Sequence, residues 1–151
     1  MRKHLFLSLQ EKLLSIPSSD ETPLIRFVDL WHSRINFTEQ PFDTPAVFVE
    51  FEPLLWQTIP SKDQLSQLSF TLHVVSKYYN LTHSTAPSSI QSENLDFLDI
   101  PELIHSYLHL SRLDCSGTII HLSSRLDYTF SDYIQSLETY KCPIGYKSYQ
   151  T

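Results

Sequence analysis

Two glycines, Gly117 and Gly145, serve a chain of 151 residues. A loop that cradles phosphate needs several glycines close together, so that backbone N–H groups can approach the anion. No such cluster exists, which excludes a Walker loop and a dinucleotide-binding fingerprint. Turns are written instead with proline and small polar residues, at Pro17-Ser18-Ser19-Asp20-Glu21-Thr22-Pro23 and at Pro41-Phe42-Asp43-Thr44-Pro45.

With 41% hydrophobic and 19% charged residues, the chain reads as a soluble globular protein. Its length predicts one domain over residues 1–151. Eleven Lys and Arg against seventeen Asp and Glu give a formal net charge of -6. The basic residues stand singly apart from Arg2-Lys3, with no stripe to grip phosphates, which argues against sequence-specific DNA binding. The apolar stretch at Leu5-Phe6-Leu7 is too short for a signal peptide and gives way to Gln10, Glu11 and Lys12. No apolar run is long enough to span a bilayer. The expectation is a cytoplasmic protein without a membrane, in which Cys115 and Cys142 are reduced thiols.

Hydrophobic periodicity divides the chain into elements. Leu5, Leu9, Leu13 and Ile16 form one stripe of a helix over residues 2–16. Leu24 to Trp31 predicts a strand apolar on both faces and hence covered on each side. Ala46 to Glu52 predicts the strongest strand, with Val47, Val49 and Phe51 on one face and Ala46, Phe48, Glu50 and Glu52 on the other. Ser66 to Lys77 predicts a half-buried antiparallel strand, Leu68, Phe70, Leu72 and Val74 facing one way and Gln67, Ser69, Thr71 and His73 the other. Tyr78 to Glu93 is polar and aperiodic, a long flexible loop. A second helix follows, capped by Asp99 with Pro101 in its first turn and Ile100, Leu103, Ile104, Tyr107 and Leu108 on its apolar face. Strands over 118–123 and 133–141 flank a turn region at 124–132, and residues 143–151 read as a flexible tail. The sum is an α+β fold, a mostly antiparallel sheet of about five strands with two helices packed on one face.

Candidate chemistry is thin. His105 and His109 have the i, i+4 spacing of a metal clamp, but a metalloprotease helix would carry Glu where Ser106 stands. Glu50 and Glu52 share a strand face, roughly 7 Å apart by strand geometry, and paired carboxylates can work on a sugar. No serine sits in a Gly-x-Ser-x-Gly elbow, and Asp114-Cys115-Ser116-Gly117 matches no cysteine-hydrolase signature. The residues thus predict no catalytic site, no metal and no cofactor. A small metal-dependent or carboxylate-dependent hydrolase built on these pairs is the alternative of another class. Trp56, Tyr78, Tyr79, Tyr128 and Phe130 fall at predicted strand ends and loops, where aromatic residues favour protein interfaces.

The order of these pieces resembles the tail-completion, or tail-terminator-like, proteins of long-tailed bacteriophages and prophages. The likeness is carried by the N-terminal amphipathic helix, the strand Pro45-Ala46-Val47-Phe48-Val49-Glu50-Phe51, and the strand Phe70-Thr71-Leu72-His73-Val74-Val75-Ser76 with its polar loop. The helix from Asp99 to Leu110 and the segment from Asp127 to Tyr140 complete it. The resemblance implies a structural virion protein that forms a homo-oligomeric ring, commonly a hexamer. Such a ring caps the tail tube and joins it to the head–tail connector, and DNA passes through without specific binding. A neck, or head–tail joining, protein is the neighbouring alternative. Ring closure is a head-to-tail contact, placed by this reading on residues 78–93 and 125–132, including Arg125 and Asp127. Glu50 and Glu52 are candidates for the channel or a subunit contact.

Overall fold

A computed structural model describes residues 1–32, 42–60, 63–113, 115–130 and 132–146. The stripe of Leu5, Leu9 and Leu13 folds as helix α1 (Arg2–Leu14), and all three side chains are buried, with Ile16 just beyond. Fully burying one such side chain contributes about 2 kcal/mol. Six strands form one sheet: β1 (Phe27–Leu30), β2 (Ala46–Phe51), β3 (Trp56–Thr58), β4 (Gln64–Lys77), β5 (Ile120–Asp127) and β6 (Tyr133–Tyr146). Their order is β1-β2-β4-β6-β5, with β3 beside the first residues of β4. Only β1 and β2 run parallel; the other pairs are antiparallel. The α+β class and the mostly antiparallel sheet are as expected, with β3 the strand too short for its period to register.

The register of β4 against β6 fixes the two faces. Leu68, Phe70 and Leu72 lie opposite Cys142, Tyr140 and Glu138, and Phe70 and Leu72 also oppose Phe51 and Val49 of β2. This helix face packs on α1 and on helix α3 (Asp99–Leu108), whose Ile100, Ile104 and Leu108 join the main core. The opposite, open face presents Phe48, Glu50, Thr71, His73, Gln135 and Thr139. It carries a small cluster of Ala46, Phe48 and Val75 under Phe27, Trp31, Phe42, Phe130 and Tyr133. The long β4–β6 ladder also defines two ends, an upper one at Lys77 and Tyr133 and a lower one at Gln64 and Tyr146.

Several expectations are corrected. The segment from Leu24 is strand only over Phe27–Leu30, and it lies at the sheet edge with Asp29 and Leu30 exposed. Residues 70–76 of β4 are buried on both faces, because the aromatic cluster covers what would otherwise be its solvent side. Within the predicted 78–93 loop, Ser88–Leu95 forms helix α2, which buries no residue; Gln91 Nε2 donates to the carbonyls of Thr82 and His83 and ties it back. A 3-10 turn (Asp96–Leu98) leads straight into α3, so Asp99 is a helical residue and not a cap. β5 continues to Asp127, which shortens the predicted 124–132 turn. β6 runs on to Tyr146, because Pro143, Ile144 and Gly145 pair with Gln67, Ser66 and Leu65. The rest of the predicted tail, 147–151, lies outside the described residues.

The cysteines are the sharpest difference. Cys115 and Cys142 form a disulfide across 27 residues, with Cα atoms 6.1 Å apart, where reduced thiols were expected. The chain returns from α3 along the lower part of β6, where the Ser116 N–H donates to the Pro143 carbonyl at 3.0 Å. Neither glycine adopts a positive φ, and left-handed backbone falls instead on Glu21, Leu110 and Leu113. Gly117 serves close approach: a Cβ there would meet Pro143 Cγ at 2.5 Å.

Candidate functional site

Three places gather chemistry-bearing side chains. Beneath α3, on the helix face, Glu138 is 1% exposed. One of its oxygens lies 2.8 Å from His121 Nε2 and the other accepts from Ser124 Oγ at 2.7 Å and from the Ser136 hydroxyl. Above it, His105 stacks on His109 with ring centroids 4.7 Å apart and lies 5.0 Å from His121. The i, i+4 pair on α3 thus meets a third histidine from β5. Burial, reinforced by His121 and His109, holds His105 below its ordinary value, with Glu138 opposing. The buried Nδ1 of His105 and hydroxyl of Tyr140 have no hydrogen-bond partner among the described residues. Desolvation, with help from Glu138, pushes the Tyr140 phenol far up. Among the described residues no three His, Cys, Asp or Glu side chains are placed to hold a metal ion.

On the open face a polar chain crosses four strands. Glu50 Oε2 of β2 lies 2.7 Å from His73 Nε2 of β4, and His73 Nδ1 lies 3.2 Å from Gln135 Oε1 of β6. Gln135 Nε2 donates to Asp127 Oδ2 of β5 at 2.7 Å. Trp31 lies flat over the His73 ring, centroids 3.8 Å apart and planes 3° from parallel. The Thr129 hydroxyl and backbone N–H both donate to Asp127, and with Gln135 and Arg125 they hold its carboxyl below the ordinary range against desolvation. Next to this chain Glu50, Glu52 and Arg125 rim a shallow depression of about 500 Å³ floored by Thr71 and Thr139.

At the upper end, Tyr78, Phe97, Leu98, Leu126, Tyr128, Phe130 and Tyr133 line an aromatic cleft of about 320 Å³ between the α2–α3 connection and the β5–β6 hairpin. Tyr78 meets Phe97 edge-on, and its hydroxyl lies 3.2 Å from Thr82 Oγ1.

The residues singled out from sequence therefore separate by place. Glu50, Glu52, Arg125 and Asp127 share the open face. Tyr78, Tyr128 and Phe130 share the cleft, and Tyr79 stands exposed beside Tyr78 in a neighbouring hollow. Trp56 lies at the lower end, opposite Ser66. Sequence reasoning missed Glu138, His121, His73 and Gln135 as network members. His73 carried a signal in its place on the polar side of β4. Glu138 carried a weaker one, in phase with Tyr140, Cys142 and Ile144.

The fold is similar to that of a chain in the virion of a native gene transfer agent particle. The two share 9% sequence identity at a TM-score of 0.56, over 95% of this chain and 96% of that one. At that identity the likeness concerns the fold. No protein-family profile matches the sequence, and no curated protein does.

Proposed function

We propose that this chain is a non-enzymatic structural component of a phage-like virion. In this reading it is a tail-terminator or tail-completion protein whose single domain, residues 1–151, closes into a hexameric ring. The supporting observation is the end-to-end likeness of fold to a virion-particle chain, which spans 95% of this chain and 96% of that one. The polar clusters agree with that reading: Glu138 spends its acceptors on three neighbouring side chains, and His73 lies beneath Trp31 rather than at the floor of a substrate pocket. Partners in this reading are further copies of the chain, the tail-tube protein and the head-side connector. Glu50 and Glu52 then place carboxylates on a face along which DNA slides without sticking.

Negative-stain electron microscopy of the purified chain, alone and with the tail-tube protein of its own particle, tests this. Rings with a central channel at tube ends are expected. A chain that never binds tube ends and instead turns over a substrate through the Glu50/His73 or Glu138/His121 groups overturns the reading.

A further inference from the structure

We propose that the Cys115–Cys142 disulfide is a redox-operated clasp, fastening residues 115–117 as a strap along the stretch of β6 edge that β5 leaves unpaired. β5 pairs with β6 from Ile120 opposite Lys141 onward, whereas β6 itself runs on past Lys141 to Tyr146. Along that overhang β4 takes one side, and the other is a strand edge with its backbone groups turned outward. Residues 115–117 lie against it. The Ser116 N–H donates to the Pro143 carbonyl at 3.0 Å, and the Gly145 N–H donates to Ser116 Oγ at 3.1 Å. Gly117 comes close enough to Pro143 that a side chain there would collide with its ring. Proline removes one donor from this edge by itself, and Ser116 satisfies the next two groups in line.

The strap has a firm neck and a tip that depends on the disulfide. At the neck the Leu110 N–H donates to the Ile119 carbonyl at 2.8 Å, and the Ile119 N–H donates to the Ser111 carbonyl at 2.7 Å. The Ile119 side chain beneath is fully buried. Between neck and tip, Leu110 and Leu113 take left-handed backbone, which leucine disfavours. The chain thus reaches the β6 edge by a path that it does not prefer when released. Cys142 anchors the tip in the main core, and Cys115 packs against that core. With the sulfurs parted, the two backbone ties of the strap run through exposed Ser116, where water competes for them. The neck then holds, the tip lifts, and the Pro143 carbonyl and Gly145 N–H are uncovered.

Access decides which sulfur reacts. Cys142 is fully buried and Cys115 half-buried. A small thiolate attacks Cys115 Sγ; a new sulfur–sulfur bond forms, the Cys115–Cys142 bond breaks, and Cys142 leaves as a thiolate that takes up a proton. A second thiolate attacks the reductant's own sulfur in this mixed disulfide, and Cys115 leaves in the same way. Two electrons pass to the protein, and two small thiols become one small disulfide. Oxidised glutathione runs the sequence backwards. Disulfides persist in oxidising surroundings and open in a reducing cell interior. The timing that follows rests on the virion reading above: the clasp is open while the particle is built inside a cell and shut after release.

The full chain, equilibrated in reduced or in oxidised glutathione and alkylated after unfolding, reports its thiols by mass. Both cysteines of the chain should be alkylated in the first buffer and neither in the second. In hydrogen exchange on the same samples, the Ser116 and Gly145 amides should exchange at least about tenfold faster in the reduced chain, while α1 stays as protected as before. Cys115→Ser combined with Cys142→Ser should match the reduced chain in both buffers. Two alkylated cysteines in oxidised glutathione would overturn the clasp. Equal exchange at Ser116 and Gly145 in the two redox states would show that the bond fastens no strap. Alkylation in freshly broken cells and in released particles tests the timing, with open thiols expected in the first and closed in the second; the same state in both refutes it. A chain absent from released particles overturns the virion reading and the timing together, while the thiol count and the exchange still decide the clasp.

Discussion

Among the described residues each face of the sheet carries one glutamate–histidine pair, and the two are mirror images in burial. On the helix face the carboxylate is the hidden partner: the Glu138 side chain is 1% exposed and that of His121 22%. On the open face the imidazole is hidden, His73 at 5% against 42% for Glu50. The hydrogen-bond lengths, 2.8 and 2.7 Å, hardly differ. What differs is which group is stranded when its partner goes, and whether water can take the vacant place. A group whose vacated partner site stays closed to water keeps its full desolvation cost, whereas one whose vacated site opens to solvent recovers a water partner. The helix-covered face is therefore where polar groups specify the fold, and the open face is where they remain adjustable for contact.

Removing the acid from each pair is the severest way to break that contrast. Glu138→Ala takes the acceptor from the buried Ser136 hydroxyl and the part-buried His121 imidazole and vacates a place closed to water, while exposed Ser124 turns to solvent. It is expected to cost about 3 kcal/mol, a fall in Tm of roughly 6–12 °C for a chain of this size. Glu50→Ala leaves His73 with Gln135 on its other nitrogen and admits water to the vacated one, so the expected cost is under about 1 kcal/mol. Urea unfolding of both variants decides; equal losses would show that burial does not set the difference.

The second test acts on the cover of the open face. Trp31 is a single side chain laid over His73 and edge-on to Phe48. Trp31→Ala should cost about 2 kcal/mol, less than a fully buried tryptophan because Trp31 is half-buried. It should also open His73 and Phe48 to solvent while leaving α1 and α3 protected in hydrogen exchange. Loss of protection in those helices would mean that the two faces unfold as one unit.

The legible parts of the molecule are those where period and burial coincide. Leu5, Leu9 and Leu13 announced α1, and the alternation of Val47 and Val49 with Ala46 and Phe48 announced both faces of β2. Glu138 was only faintly legible for a physical reason: a glutamate in a strand reads as a solvent residue, and the arrival of His121 and Ser124 from β5 gives it its cross-strand partners. That arrival depends on register, which no local pattern states. Helix α2 escaped because it is polar all round and hangs on Gln91 rather than on a buried stripe. The end of α3 escaped in the opposite sense. Leu110 takes the left-handed position after the helix that glycine usually fills, so the stop signal was missing from a chain with only two glycines. Tyr78, Tyr128 and Phe130 were legible as interface candidates, but their convergence on one cleft, opposite Trp56, is a property of the β4–β6 ladder.

Titration sharpens the contrast with the smallest expected effect. His105 on the helix face is held below its ordinary value of 6.5, first by burial and then by His121 and His109. Between 6.5 and its lower folded value the unfolded chain binds the proton and the folded chain does not, so this group's contribution falls as pH falls through that window. Asp127 on the open face is held below 3.8, chiefly by the Thr129 hydroxyl. Its contribution is complete above 3.8 and is lost only as pH drops below that value. Measured as urea midpoints against pH, His105→Gln should flatten the slope just below pH 6.5 and leave the acid limb alone. Asp127→Asn should do the reverse, flattening the limb below about pH 4. If both substitutions act in the same window, the two faces do not titrate independently, and the polar chain from Asp127 to His73 must be coupled through the sheet to the histidines under α3.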